Sequence, residues 1–146
     1  MRLLFIGESP PASGRFFYCR DSGLYRAIRE AFQVADARIT DDDFLARFQA
    51  SGCYLVDLCR EPIDHLPAPA RREERRRAEP RLAESIREHR PEAIIVLLRA
   101  IEPNVSSAAQ EAGWTGSLIE APYPGRWKHL RQDFLKIAAP VVKTLL

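Results

Sequence analysis

The sequence lacks any apolar run long enough to cross a bilayer. Its longest uninterrupted apolar stretch is Ala93–Leu98, whereas a membrane-spanning helix takes about 20 residues. The N-terminus also lacks the apolar core and small-residue cleavage site of a signal peptide, because Gly7 and Glu8 interrupt the first apolar stretch. We therefore expect a soluble cytoplasmic chain with no membrane partner.

Cysteine is scarce, and the few cysteines form no recognisable motif. Cys19, Cys53 and Cys59 contain no CxxC spacing, and an odd number of cysteines cannot all pair with one another. Reduced, structural thiols are the expected state in a cytoplasmic protein. His65 and His89 have no ligand-like spacing either, so we assign them to no site.

Lysine is scarce as well, since only three of the 22 basic residues are lysines and the rest are arginines. Arginine presents a planar fork of donors that suits phosphate groups, which is compatible with a nucleic-acid partner. A GC-rich genome would enrich arginine with no functional cause. The formal net charge is only +2, so composition leaves both explanations open.

Common phosphate-binding and nucleophile motifs are missing from the loop that follows the first apolar strand. Gly7–Pro11 reads GESPP, which fits neither the Walker sequence GxxxxGK[ST] nor the dinucleotide-binding GxGxxG. The nucleophile elbow GxSxG fails because Pro11 stands where glycine is required. What remains is a carboxylate, Glu8, at a strand end beside two stiff prolines. A solvated glutamate in a rigid loop is the alternative interpretation.

The chain is predicted to form one domain spanning residues 1–146. Its 146 residues are 46% apolar, which is enough for a core without metal or disulfide support. Four strands are predicted: Arg2–Ile6, Cys53–Leu58, Ala93–Leu98 and Gly116–Glu120. Helices are predicted after Ser22, around Phe44–Phe48, over Arg81–His89, over roughly Pro103–Ala112 and from about 128 to the C-terminus, where Pro140 could introduce a kink.

Alternating strands and helices without hairpin signals predict a three-layer α/β/α sandwich around a central four-stranded parallel sheet. Sites in such sheets lie at the carboxyl ends of the strands. We therefore expect Glu8, Arg60, Arg99 and the loop 121–127 to lie near one another.

Two loops combine aromatic and basic side chains. Gly14–Tyr18 carries Arg15 and three successive aromatic rings, too many for one buried face, so at least one ring is expected to stack on a planar ligand. The loop 121–129 delivers Tyr123, Arg126, Trp127, Lys128 and His129 to the same edge. This mixture suits the backbone and bases of a nucleic acid. The alternatives are rings that cover the sheet edge and a loop around one buried tryptophan.

The most charged segment is Arg71–Arg81, with six arginines and three glutamates. It is compatible with a helix stabilised by internal ion pairs. A solvated surface face and a phosphate-tracking patch are the two interpretations of its role.

Several of these motifs together resemble the uracil-DNA glycosylase superfamily. Gly7–Pro11 followed by Gly14–Phe17 (GRFF) is similar to the G-E-x-P-G and G-R-P-F segments of the iron-sulphur-containing branch. Tyr54–Pro62 (YLVDLCREP) and Pro91–Ala100 (PEAIIVLLRA) look like later strand segments of the family. The resemblance covers nearly the whole chain and implies a monomeric enzyme of DNA repair that acts on uracil-containing or lesion-containing DNA.

The resemblance also implies roles for individual residues, with no metal or redox cofactor. A flipped-out base would be bound by Gly7, Ser9, Pro10, Phe17 and Asp57, with the Phe17 ring against it. Glu8 would position or deprotonate the attacking water, or stabilise an oxocarbenium-like sugar, and Tyr123 would support the leaving base. Contacts to DNA would come from Arg15, Arg60, Arg126, Trp127 and Lys128.

The chain departs from the family pattern at three places. Tyr123-Pro124-Gly125 stands where the family has His-Pro-Ser, the cluster cysteines are absent, and the strand-two asparagine that reads uracil is replaced by Asp57, which would read a base differently. A DNA glycosylase for uracil or another damaged or mismatched base is the leading prediction. A catalytically inactive domain of the same fold that binds nucleic acid or nucleotide is the second, and a purely structural module the third.

Overall fold

A computed structural model describes residues 1–125 and 127–146 of the chain. Over these residues the chain forms one four-stranded sheet and five α-helices. In chain order they are β1 (Leu3–Gly7), α1 (Gly23–Ala35), α2 (Phe44–Ala50), β2 (Cys53–Asp57), α3 (Ala68–His89), β3 (Ala93–Val96), α4 (Glu102–Glu111), β4 (Ser117–Glu120) and α5 (Lys128–Lys143). Short 3₁₀ turns at Phe17–Cys19 and Arg99–Ile101 precede α1 and α4.

The sheet is entirely parallel, with strand order β2-β1-β3-β4. The central strand β1 places Leu3 opposite Cys53 of β2 and opposite Ala93 of β3. The chain runs from β1 to β2 on one side and then returns across β1 to β3. Such a reversal of strand order opens a crevice at the carboxyl ends of the strands, where open α/β sheets bind their ligands.

Alternating side chains of the strands enter two separate cores. Leu3 and Phe5 of β1 face a core that also contains apolar side chains of α1, α2 and α5. Leu4 and Ile6 face the opposite core, under α3 and α4. The whole of β1 is buried on both sides, which explains its uninterrupted apolar sequence. The three-layer α/β/α sandwich predicted from the sequence is therefore confirmed.

The helix α3 is much longer than the sequence predicted. The structure extends it from Ala68 to His89, so the Arg71–Arg81 run, which was compatible with a helix, is helical and continuous with the helix predicted over Arg81–His89. Pro69 lies in the first turn, where proline is tolerated, and Pro80 lies inside the helix. Ion pairs at i,i+3 and i,i+4 spacing, such as Arg77 with Glu73 at 3.5 Å, support the exposed face.

The C-terminal helix α5 continues through Pro140 without interruption and packs against α1. In the part of the chain that the structure describes, no helix combines the length and the apolar character needed to cross a membrane.

Candidate active site

A cavity of about 270 Å³ opens at the carboxyl edge of the sheet. Its wall includes a residue at or after the end of each strand: Glu8 follows β1, Asp57 ends β2, Leu98 follows β3 and Tyr123 follows β4. Its volume lies just below the range of about 300–1,000 Å³ that is typical of drug-sized ligands. The cavity is therefore suited to a small ligand.

Most of the residues singled out from the sequence line this cavity. They are Gly7, Glu8, Ser9, Pro10, Arg15, Phe17, Asp57 and Tyr123. The loop between β1 and α1 forms one wall, and hydrogen bonds fasten it to the segment after β2. The Ser9 hydroxyl accepts from the Ile63 N–H at 3.4 Å, and the Asp64 carboxylate accepts from the Ala12 N–H at 3.4 Å.

The Glu8 carboxylate is held by two arginines of α3. Arg71 donates from Nε to Oε2 at 2.9 Å and from Nη2 to Oε1, and Arg75 donates from Nε to Oε2 at 2.6 Å. The Glu8 side chain is only 8% exposed, and the Arg75 side chain is 13% exposed. Glu8 is therefore a buried anion with two cationic partners. The alternative interpretation, a solvated glutamate in a rigid loop, is wrong.

This arrangement determines the protonation state of Glu8. Burial raises the pKa of the carboxyl, but hydrogen bonds and charge attraction from Arg71 and Arg75 outweigh it and leave the pKa below its usual range. Glu8 therefore stays ionised at neutral pH. A carboxylate with a low pKa is a weak base, so it is better suited to orienting a water molecule than to removing its proton.

Arg71 and Arg75 are site residues that could not be identified as such from the sequence pattern alone. Neither interpretation of Arg71–Arg81 is complete, because Arg71 and Arg75 turn inward to Glu8 and Arg81 donates to the Leu58 carbonyl at 2.6 Å. The signal was the i,i+4 spacing of Arg71 and Arg75, which places both on one face of a helix.

Asp57 supplies a second carboxylate to the cavity. Burial raises the pKa of Asp57 to about 6, and Glu8 raises it further, while Arg81 opposes the shift. Folding raises this pKa from 3.8, so the ionised carboxyl favours the unfolded state. The free energy of unfolding therefore falls as the pH rises from 3.8 to about 6. The pKa values of Glu8 and Asp57 are thus shifted in opposite directions, and a third carboxylate, that of Asp64, also lines the cavity.

Gly7 allows the close approach of Asp57 to β1. A Cβ atom built on Gly7 would lie 2.7 Å from Asp57 Oδ1. We expect Gly7→Ala to displace the Asp57 side chain and to lower the free energy of unfolding by about 1–3 kcal/mol, as for overpacked cores. Urea unfolding measures this loss. Gly23→Ala, at a site where only the end of the Arg26 side chain lies nearby at 4.0 Å, is the control. Equal stability of the two variants would contradict the prediction.

Tyr123 completes the polar part of the cavity wall. Tyr123 is 44% exposed, yet its partial burial, with a smaller contribution from the negative charge of Asp57, raises the pKa of its hydroxyl. The hydroxyl therefore keeps its proton at neutral pH and is available as a hydrogen-bond donor. This is the property that a group supporting a leaving base would need.

The aromatic residues of the first loop divide between core and cavity. Phe17 borders the cavity but is only 2% exposed, with ring centroids of Tyr18, Tyr25 and Phe48 within 4.9–5.6 Å. Phe16 also lines the cavity and is 39% exposed. Stacking of Phe17 on a base stays a prediction, and Phe16 is the ring more open to a ligand.

The predicted DNA-contacting residues do not all meet at the cavity. Arg15 lines it. Arg60 is exposed and lies near Arg81, so the two positive charges repel each other. Trp127 is 59% exposed directly before α5, and Lys128 begins that helix. Arg126 lies outside the described residues. Arg99, also expected near the site, forms an ion pair with Glu120 at 3.4 Å.

The cysteines take no part in this site. Cys53 and Cys59 are buried and Cys19 is exposed, and all three are free thiols. Burial raises the pKa of Cys53 to about 12 and that of Cys59 to about 11, so both are inert thiols at neutral pH. Across residues 1–125 and 127–146, no group of three His, Cys, Asp or Glu side chains could hold a metal ion.

No protein-family model matches the sequence, and no curated protein matches it significantly.

Proposed function

We propose that this chain is a DNA glycosylase-like domain that takes a base flipped out of DNA into the cavity and hydrolyses its N-glycosidic bond. The observation that carries the proposal is the cavity itself, where an ionised Glu8, a protonated Tyr123 hydroxyl and an aromatic wall converge at the carboxyl edge of the sheet. The sequence motifs of the loop after β1 support the same conclusion. We place this activity in cytoplasmic DNA repair, carried out by a monomer.

Tyr123 and Glu8 would have separate roles in the hydrolysis. The bond between the sugar C1′ and the base nitrogen breaks, and its electron pair leaves with the base. The Tyr123 hydroxyl would donate a hydrogen bond to the departing base, which stabilises its negative charge. Glu8 would orient a water molecule whose oxygen bonds to C1′. The proton lost by that water passes through solvent to the base.

Incubation with labelled oligonucleotides at low salt tests this function. The substrates contain uracil, hypoxanthine, xanthine, a mismatched thymine or one of the normal bases, in single and double strands. Alkali-labile strand breaks that disappear in Glu8→Gln would support hydrolysis at this site. Breaks that persist in Glu8→Gln would remove Glu8 from the mechanism. If no oligonucleotide were cleaved, the proposed hydrolysis would be wrong.

Binding without catalysis is the second candidate function, and one observation favours it. The two guanidinium groups on Glu8 neutralise its charge, which weakens its attraction for a positive, oxocarbenium-like sugar. Under this alternative the protein holds a base or nucleotide in the cavity and leaves the bond intact. A salt-sensitive mobility shift with no strand break would identify it.

Lys128 provides a test of DNA binding that both functions share. If it contacts a phosphate, Lys128→Ala should weaken binding for all base sequences equally and reduce the slope of log affinity against log salt by about one. Affinity measured across a series of salt concentrations gives this slope. Lys136→Ala, on an exposed lysine of the same helix, is the matched control. An unchanged slope in Lys128→Ala would exclude this contact.

A further inference from the structure

The Asp57 carboxylate faces the cavity without a hydrogen-bond donor of its own. Among the residues that the structure describes, none donates a hydrogen bond to its side-chain oxygens. The nearby arginines are directed elsewhere: Arg71 and Arg75 donate to Glu8, and Arg81 donates to the backbone carbonyls of Asp57 and Leu58. The Asp57 carboxylate is half-buried and opens into the cavity, so a ligand that fills the cavity displaces the water around its oxygens and must supply N–H donors in place of that water.

We propose that Asp57 selects a base whose edge carries two adjacent N–H donors, the edge that guanine, and any damaged guanine that keeps this edge, presents through N1–H and its 2-amino group. This inference rests on the proposed function only for the kind of ligand, a nucleobase in the cavity. The position of Asp57 at the end of β2 fixes the carboxylate at the wall, and Gly7 leaves room for it there.

The chemistry of a carboxylate excludes the other common bases. An ionised carboxylate only accepts hydrogen bonds, so both of its oxygens need donors. Cytosine and adenine place an amino donor beside a ring-nitrogen acceptor, which would repel one of the oxygens. Uracil and thymine place a single N–H between two carbonyl oxygens. Guanine alone among these offers two adjacent N–H groups, which permits two parallel charge-assisted hydrogen bonds.

Selection of this kind depends on the charge of Asp57. The groups that act on this carboxyl are Glu8 and Arg81, with opposite effects on its pKa, and the hydroxyls of Tyr18 and Tyr123, whose own pKa values are raised. Both tyrosines stay neutral in this range and Glu8 stays ionised. Guanine selectivity should therefore be present above pH 6 and decline as Asp57 takes up its proton near pH 6.

A matched pair of oligonucleotides tests the inference without any need for hydrolysis. Two short single strands of thymine carry either one central guanine or one central hypoxanthine, which differs from guanine only by the absence of the 2-amino group. Because one charge-assisted hydrogen bond is lost, the wild-type protein should bind the guanine strand at least about tenfold more tightly. The ratio of the two affinities is measured above and below pH 6.

Asp57→Asn should bring this ratio close to one and remove its pH dependence. The variant should fold at least as well as the wild type, because a neutral amide replaces a desolvated charge, and thermal unfolding verifies this. Asp42→Asn makes the same charge change at an exposed position and should leave the ratio unchanged.

The possible outcomes separate this inference from the proposed function. Equal binding of the two strands by the wild type, or a guanine preference that persists in Asp57→Asn, would overturn the inference alone. A guanine preference without cleavage of any oligonucleotide would support it and count against hydrolysis. Failure to bind either strand would overturn the inference and, with it, every function that places a base in the cavity.

Discussion

Replacement of Glu8 by Gln is expected to lower the rate of base release about 100-fold, the usual cost of misplacing a reactant that the active site positions. The same change removes the anion between Arg71 and Arg75. Loss of hydrogen bonds to charged partners should lower the free energy of unfolding by about 1–3 kcal/mol. Strand-break assays measure the first effect, and urea unfolding measures the second.

Arg75→Met separates the chemical role of Glu8 from its structural role. This variant keeps the carboxylate and its contact with Arg71 but removes one guanidinium. It should lose a comparable amount of stability and yet release base within about tenfold of the wild-type rate. If Arg75→Met lost as much activity as Glu8→Gln, the effect of Glu8 would be structural.

The pH dependence of unfolding provides an independent check on the Glu8 ion pairs. The pKa of Glu8 is lowered in the folded state, so the stabilisation is present above its ordinary value of 4.5 and is lost as the pH falls through the lower folded value. The free energy of unfolding of the wild type should therefore decline below pH 4.5. The decline should be shallower in Glu8→Gln, which has no carboxylate to titrate at this position.

Phe17→Ala is expected to lower the free energy of unfolding by about 3–5 kcal/mol, the usual cost of removing a buried phenylalanine ring. Phe17 is almost completely buried among aromatic rings of the loop, α1 and α2. Its removal would leave a cavity at the point where the first loop joins the core. Urea unfolding, with the assumption of two-state behaviour tested by two probes, measures this loss.

Phe16→Ala is the matched control, because the neighbouring ring is 39% exposed. It should change stability by less than about 0.5 kcal/mol but weaken binding of a base by about 1–3 kcal/mol, the contribution of one stacked ring. The opposite result, in which Phe17→Ala folds normally and loses base binding while Phe16→Ala does not, would assign the stacking role to Phe17. That is the role that the resemblance to uracil-DNA glycosylases implies.

The sheet could be predicted from the sequence because its strands are short apolar runs with clear ends. Leu3–Gly7 is buried on both faces, and a strand of that kind requires apolar side chains at consecutive positions. Parallel pairing followed from the helices between the strands. Once the strands were known, Glu8, Asp57 and Tyr123 could be placed at one edge because each follows or ends a strand.

The partners of Glu8 could not be predicted in the same way. Arg71 lies 63 residues away in the chain, and it belongs to a run of arginines that differ little in their local sequence. Which arginines turn inward depends on where α3 begins and on which of its faces meets the sheet. The prolines near its start and at Pro80 concealed where the helix begins and that it is continuous, since proline is more often found outside helix interiors.

The sequence by itself determined the fold class, the edge of the sheet where the site lies and the residue types gathered there. These follow from local patterns, because the burial of a strand and the position of its end are determined by a few neighbouring residues. Only the tertiary structure decided which carboxylate is paired and which is not, and which aromatic ring belongs to the core. Those outcomes depend on contacts between residues far apart in the chain, and it is these contacts that lower the pKa of Glu8 and raise that of Asp57.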